Sequence, residues 1–175
     1  GMRVLVNGGA GGVGHCAVQY AHHLGAHVTA TCGPDNVAFV RELGADEVLD
    51  YTREDYAAAT VPFDVIFDTT GHASWRACRH VLAPDGVYVN TSPDAASVVT
   101  TLAEKVAARL AGRQRVVAFV LKPRAEAWRR LATLAEAGAI VPHVRATIGL
   151  ADVAEAERQM ETGHGRGKIV VLPSR

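Results

Sequence analysis

The chain has 175 residues, 49% of them hydrophobic and 21% charged, enough to bury the core of one domain. Its 18 Lys and Arg balance 18 Asp and Glu, so no charged field favours nucleic acid or an anionic membrane as a partner. Apolar runs such as 116–121 fall far short of a bilayer span, and the start shows no signal-peptide pattern. The cysteines, Cys16, Cys32 and Cys78, are odd in number and far apart, which speaks against a disulfide framework and a zinc cluster alike. A soluble protein of the cytoplasm is expected.

Residues 3–6 (RVLV) read as a first strand, and 12–24 sets Val13, Ala17, Val18, Ala21 and Leu24 at helical spacing. Residues 27–31 form a second strand. Gly33, Pro34 and Asp35 then open a helix with a cap, a preset dihedral and a favourable charge, and Gly44 closes it after Leu43. Strands follow at 47–50, 63–68 and 86–90, with helical stretches at 53–59 and 73–82 between them. Val99, Leu102, Val106 and Leu110 make one stripe of a helix over 97–110, 116–121 is a sixth strand, and 125–137 is another helix. After Gly138 the rhythm changes: 144–148 is strand-like, 152–160 helical and 168–172 rich in β-formers.

Strands alternating with helices specify a parallel sheet covered on both faces, because parallel neighbours need long right-handed crossovers. The expected class is therefore α/β, a doubly wound three-layer sheet of Rossmann type over 1–175.

The stretch VNGGAGGVGHC, residues 6–16, holds Gly9, Gly11 and Gly14 as G-x-G-x-x-G between the first strand and the first helix. In that position the first glycine permits a tight turn, the second lets backbone approach a diphosphate and the third lets helix and strand pack closely. The helix beginning near Gly12 offers unpaired N–H groups to phosphate, and the loop carries no lysine and needs none. Gly9, Ala10, Gly11, Gly12, Val13 and Gly14 are thus the primary candidates for a dinucleotide cofactor site. A Walker-type loop is excluded because it requires G-K-[ST].

From these motifs a family resemblance follows. VLVNGGAGGVGHCAVQYAHHLGAHVTA, FVRELGADEVLDY, FDVIFDTTG, LAPDGVYV and GHGRGKIVVL, in this order, resemble the medium-chain dehydrogenase/reductase superfamily, in its zinc-independent quinone oxidoreductase-like branch. The resemblance implies an enzyme of two parts, with a GroES-like catalytic domain before the nucleotide-binding domain and a C-terminal segment, here about 139–175, returning toward it. Gly1 before Met2 looks like a residue left by tag removal, and the sequence is expected to be the cofactor-binding half, with the substrate surface supplied by the missing part.

An NAD site usually places a carboxylate at the end of the second strand. Here that strand ends Thr31, Cys32, Gly33, and Asp35 comes late enough to serve as a first-turn helix residue. The expectation is NADP(H), with NAD(H) as the alternative. The resemblance implies a small polar residue, a lysine and a tyrosine around the 2′-phosphate: Tyr51 matches the tyrosine, Asn36 stands where lysine is common, and Arg53 is the substitute cation. Thr69, Thr70 and Gly71 after the fourth strand, and Asn90, Thr91 and Ser92 after the fifth, would line the nicotinamide end.

No catalytic side chain and no metal ligand set is assigned. His22 and His23 point apart on a helix, His15 and Cys16 follow the glycine motif with Cys16 as small core filler, and no G-x-S-x-G elbow occurs. Hydride transfer needs no protein nucleophile. The expected activity is reduction of a quinone, enone or similar carbonyl compound, with a homodimer formed through the sixth strand. The other readings are a non-enzymatic nucleotide-sensing or scaffold module and the enoyl reductase part of a polyketide synthase.

Overall fold

The structure, a computed structural model, describes residues 1–91, 95–118, 124–161 and 165–173. Among the described residues six strands form one all-parallel sheet: β1 (Arg3–Asn7), β2 (His27–Cys32), β3 (Glu47–Asp50), β4 (Phe63–Asp68), β5 (Leu82–Asn90) and β6 (Arg115–Ala118). Their order is β3-β2-β1-β4-β5-β6. The chain winds outward from β1 to β3 and then crosses to β4, so the winding reverses between β1 and β4, and a crevice opens at their carboxyl ends.

The layers follow from alternation along β1. Leu5 turns into a cluster with Phe63, Ile66, Trp75, Val81, Leu82 and Tyr88, and its neighbour Val6 turns the other way, onto Val18, Val28, Ala30 and Val40. Each face therefore needs its own helical cover. The helices are α1 (Gly14–His23), α2 (Val37–Glu42), α3 (Trp75–Cys78), α4 (Ala95–Ala111), α5 (Ala125–Glu136) and α6 (Val153–Glu161). Gly44 ends α2 at φ +99°, a conformation that favours glycine, with its N–H on the Arg41 carbonyl.

After α5 the chain leaves the main sheet. β7 (Val144–Gly149) and β8 (Lys168–Leu172) pair in parallel as a separate two-stranded sheet. The stretch leading into β7 is fastened to α1: the Gln19 side chain bonds both the N–H and the carbonyl of Val141, at 2.8 and 3.1 Å.

Two expected helices are corrected. The helix expected over 53–59 is one 3₁₀ turn, Tyr56–Ala58, because Asp55 accepts the Ala57 N–H and the following Thr60, Val61 and Pro62 favour extended backbone. The helix expected over 73–82 is only α3; Leu82 instead pairs with Phe63 to begin β5, and the sheet resumes at Val87 opposite Val65, so 83–86, with the donorless Pro84, bulge out. On α4, Leu102, Val106 and Leu110 are exposed, while small Ala107 and Ala108 pack inward. The sixth strand begins one residue earlier than expected, and its expected residues 119–121 lie outside the described residues.

Candidate functional site

The carboxyl end of β1 delivers the chain into the glycine run, and its turn is built on Gly8. Gly8 has φ +85°, and a Cβ on it would stand 2.7 Å from Thr69 Oγ1 and 2.8 Å from Thr70 Cγ2. The tight turn expected at Gly9 thus falls one residue earlier. Gly9 serves close packing: its Cβ position is 2.9 Å from Ala30 Cβ and 3.3 Å from Val40 Cγ1. Gly14 is the most restricted, since a Cβ there would overlap the Gly8 carbonyl. Gly11 differs, with only the Gly8 oxygen, at 3.4 Å, near its Cβ position.

Hydrogen bonds fix the loop from below. Gly8 N–H donates to Thr31 Oγ1 at 3.0 Å, Gly9 N–H to the Thr31 carbonyl at 2.8 Å and Gly11 N–H to the Gly8 carbonyl at 3.1 Å. Thr31 Oγ1 donates in turn to Asn7 Oδ1 at 2.6 Å, and Asn7 Nδ2 donates to Asp68 Oδ1 at 2.9 Å. Asp68 is fully buried and also accepts from Thr70 N–H, Thr70 Oγ1 and the Tyr88 hydroxyl. Burial, with Asp68 beside it, drives the Tyr88 phenol far above its ordinary pKa, so it remains a donor. This chain of contacts couples the ends of β5, β4, β1 and β2 to the turn. No acceptor among the described residues meets the N–H groups of Gly12 and Val13. The amino end of α1, expected near Gly12, begins at Gly14 just behind them.

The C-terminal segment supplies what the loop lacks. Gly167 N–H donates to the Ala10 carbonyl at 2.9 Å, and Lys168 Nζ lies 3.3 Å from the Cβ position of Gly12. The glycine loop therefore does have a lysine beside it, brought from β8. His15 is buried; its Nδ1 bonds the Gly11 carbonyl at 2.8 Å and its Nε2 accepts the His143 N–H at 3.1 Å. Burial holds its pKa below the ordinary value against the Gly11 bond, and Lys168 and His143 push the same way.

The other expected residues divide. The Tyr51 hydroxyl stands 3.2 Å from the Cβ position of Gly33, at the end of β2. Asn36 Oδ1 accepts from Arg166 Nε at 2.9 Å. Arg53 is exposed, its Nε 4.0 Å from Asp50 Oδ2, and it does not line the cavity beside Gly33. Cys32 turns into the core cluster, where burial pushes its thiol up to about 11. Thr69 Oγ1 donates to the Asn7 carbonyl at 2.8 Å, and Thr91 N–H to the Asp68 carbonyl at 3.0 Å. Gly71 turns at φ +72°, and Asn90 is buried at the end of β5. Ser92 lies outside the described residues.

Among the described residues no group of His, Cys, Asp and Glu is placed to hold a metal ion, and no helix is long and apolar enough to cross a membrane. Gly8, Lys168, Arg166 and Arg145 are absent from the sequence expectations. Gly8 was legible in the glycine run; Arg166 and Lys168 stand in the stretch GHGRGKIVVL with no role given to them there, and all three cations come from more than 100 residues away.

Comparison with known proteins places this chain in a family. The profile of the zinc-binding dehydrogenases matches residues 43–171. The chloroplast envelope quinone oxidoreductase homolog of Arabidopsis thaliana is 33% identical over 97% of this chain and 52% of its own. The quinone oxidoreductase of Coxiella burnetii has a TM-score of 0.86 at 28% identity, over 98% of this chain and 52% of that one. Mycobacterial Rv1454c, solved complexed with NADPH, has a TM-score of 0.73 at 25% identity, over 99% of this chain and 57% of that one. The chain spans about half the length of the curated relatives it matches. With the family profile over 43–171, the relatives and the solved structures in agreement, the chain belongs to the medium-chain dehydrogenase/reductase superfamily, in its quinone oxidoreductase-like part.

Proposed function

We propose that this chain is the cofactor-binding half of a reductase that passes hydride from NADPH to a quinone, an enone or a similar carbonyl compound. The observation that carries this reading is the bare backbone at Gly11–Val13. The Cβ position of Gly11 is nearly open, and the Gly12 and Val13 N–H groups have no acceptor among the described residues. A diphosphate fits there, because N–H groups ahead of a helix and the partial positive charge of its amino end both favour an anion. Lys168 adds a full positive charge at the loop.

The bound nicotinamide supplies the redox chemistry. The chain's own residues bind and orient: Gly12 and Val13 donate to the diphosphate, Lys168 balances its charge, and the ends of β4 and β5, from Thr69 to Gly71 and at Asn90 and Thr91, wall the crevice. β2 ends at Thr31 and Cys32 with no carboxylate of its own to accept the ribose hydroxyls, which supports NADPH over NADH. Residues 139–175 would lead back to a GroES-like catalytic domain that completes the substrate surface. The edge position of β6 and the exposed Leu102, Val106 and Leu110 of α4 support a homodimer through that edge. Cys16, Cys32 and Cys78 are all free, which supports a reducing compartment such as the cytoplasm.

Calorimetric titration of the 175-residue chain with NADPH tests the reading, with Gly11→Val as the control that fills the open cradle. One site of micromolar affinity that Gly11→Val abolishes is expected, together with little quinone turnover by the chain alone. Absence of binding to both NADPH and NADH overturns it, and a monomer in sedimentation at micromolar concentration removes the dimer.

A further inference from the structure

A cavity opens where β5 and β6 begin, at the opposite end of the main sheet from the glycine loop. Its volume of about 490 Å³ is that of a small-molecule site. Trp75 and Ala108 are buried at its base with Gln114 half-buried beside them, and Arg79, Pro84 and Arg113 are exposed around it. We propose that this cavity binds a small organic anion, an oxyanion carried on an apolar body, and does so independently of the dinucleotide.

One side chain holds the base together. Gln114 Oε1 accepts the Trp75 indole N–H at 2.9 Å, and its Nε2 donates to the carbonyls of Arg79 and Leu82, each at 3.0 Å, and of Ala83 at 3.2 Å. Buried Glu104 accepts the backbone N–H groups of Trp75 and Arg76 at 3.3 and 3.2 Å. These bonds tie α3 and α4 to the bulge of β5 and the start of β6, so the cavity exists before a ligand arrives, and a site formed in advance loses less freedom on binding. With its N–H already paired, the Trp75 ring is left to apolar contact.

Positive charge gathers around this base. The Arg79 guanidinium lies 5.8 Å from the centroid of the Trp75 ring, and among the described residues no carboxylate stands within 4.0 Å of it. Arg113 is steadied by Asp85, with Nε 2.6 Å from Oδ1 and Nη2 2.8 Å from Oδ2, contacts that use two of its five N–H donors. Arg76, Arg109 and Arg115, next to these residues in the chain, are exposed and likewise have no carboxylate within 4.0 Å among the described residues. Across 75–85 and 104–115, five arginines and Lys105 thus stand against Asp85 and Glu104 alone, in a chain whose total charge balances. Arginine forks grip phosphate and carboxylate alike through charge-assisted bonds, and the base of Trp75 and Ala108 offers the rest of the ligand an apolar surface.

Trp75 and Trp128 are the two tryptophans, and Trp128 is exposed on α5, so Trp128→Phe leaves Trp75 as the reporter of its own cavity. That variant of the full chain is titrated with phenyl phosphate, benzoate, inorganic phosphate and phenol, followed by Trp75 emission and by calorimetry. Saturable binding of phenyl phosphate or benzoate is expected, about tenfold or more tighter than inorganic phosphate and phenol, and the tighter of the two aromatic anions identifies the oxyanion. Arg79→Gln should weaken that binding by about tenfold or more. Arg113→Gln alters an exposed side chain, so it tests the site even where Arg79→Gln disturbs α3; it should lower the same affinity, and neither variant should change the affinity for NADPH. The site is overturned by failure of both aromatic anions to saturate, by phenol or inorganic phosphate binding as tightly, by unchanged affinity in both arginine variants, or by displacement of the probe with NADPH, which would put it at the glycine loop.

Discussion

His15 Nε2 accepts the backbone N–H of His143 at 3.1 Å, joining the helix behind the glycine loop to the segment that enters β7. Because Nδ1 bonds the Gly11 carbonyl, one neutral ring bridges the loop and the C-terminal return. Protonation of Nε2 removes its lone pair and the bond with it.

Stability should consequently fall on mild acidification. The folded state holds His15 below its unfolded value of 6.5, mainly through burial, with Lys168 and His143 adding positive charge. The unfolded chain then binds the extra proton first, so this contribution is complete above pH 6.5 and is lost as pH falls toward the depressed folded value. A single proton limits the slope to about 1.4 kcal/mol per pH unit. Denaturant unfolding between pH 7.5 and 5.5, settings roughly one unit either side of an ordinary histidine pKa, should show the decline, and His15→Asn should flatten it. Asp50 and Glu155, also depressed, start from 3.8 and 4.5 and act only at lower pH. An undiminished slope in His15→Asn would assign the decline to another group.

The sheet was legible because its signals are local. β1, β2, β4 and the 87–90 part of β5 are short runs rich in β-branched or aromatic residues, and the glycine run sits at a strand-to-helix junction. The misread stretch around residue 82 is one where a local helical pattern lost to tertiary demand: Leu82 buries its side chain opposite Phe63. The loop and its strand-end supports could be named from the sequence, but the charges around them could not. Lys168 lies 156 positions after Gly12, and Arg166 lies 130 after Asn36. No period or motif encodes such pairs; they exist only once β7 and β8 have formed.

The glycines of the loop should not be equivalent. Gly14→Ala places a Cβ on the Gly8 carbonyl, which is backbone and cannot rotate away; it should cost about 3 kcal/mol or more and abolish dinucleotide binding. Gly9→Ala meets Ala30 Cβ at 2.9 Å and should cost about 1–3 kcal/mol. Gly12→Ala meets only the flexible end of Lys168 at 3.3 Å and the Gly167 oxygen at 3.4 Å, so it should stay within about 0.5 kcal/mol. Thermal and denaturant midpoints give the order; a Gly12→Ala as damaging as Gly14→Ala would contradict the assigned roles.

Beneath the loop, Asp68 gathers donors from Asn7, Thr70 and Tyr88 with no cation nearby among its hydrogen-bond partners. Asp68→Ala leaves those donors unmatched in a site with no access to solvent and should destabilise by about 2–4 kcal/mol. Tyr88→Phe removes a single donor and should cost about 1–2 kcal/mol. The Asp68→Ala loss should extend to cofactor affinity, since Asn7 would no longer hold Thr31 under Gly8. Equal losses for the two variants would mean that the carboxylate does not organise the network.

The three thiols should react in a set order with a disulfide reagent at pH 8, a setting about half a unit below an ordinary cysteine pKa. Burial pushes Cys32 up to about 11 and Cys78 up to about 12, and the Cys78 thiol also donates to the Ser74 carbonyl at 3.1 Å. A thiol raised so far is held almost wholly protonated at that pH, and the thiolate is the nucleophile. Cys16 is raised by burial too, but Lys168 opposes the shift and the residue is only partly buried. Cys16 should therefore be labelled first, with Cys32 and Cys78 reacting at the rate of global unfolding. Lys168→Met should slow Cys16 and leave the other two unchanged. If Cys32 or Cys78 were labelled in the native state as fast as Cys16, the packing assigned to the two core clusters would be wrong.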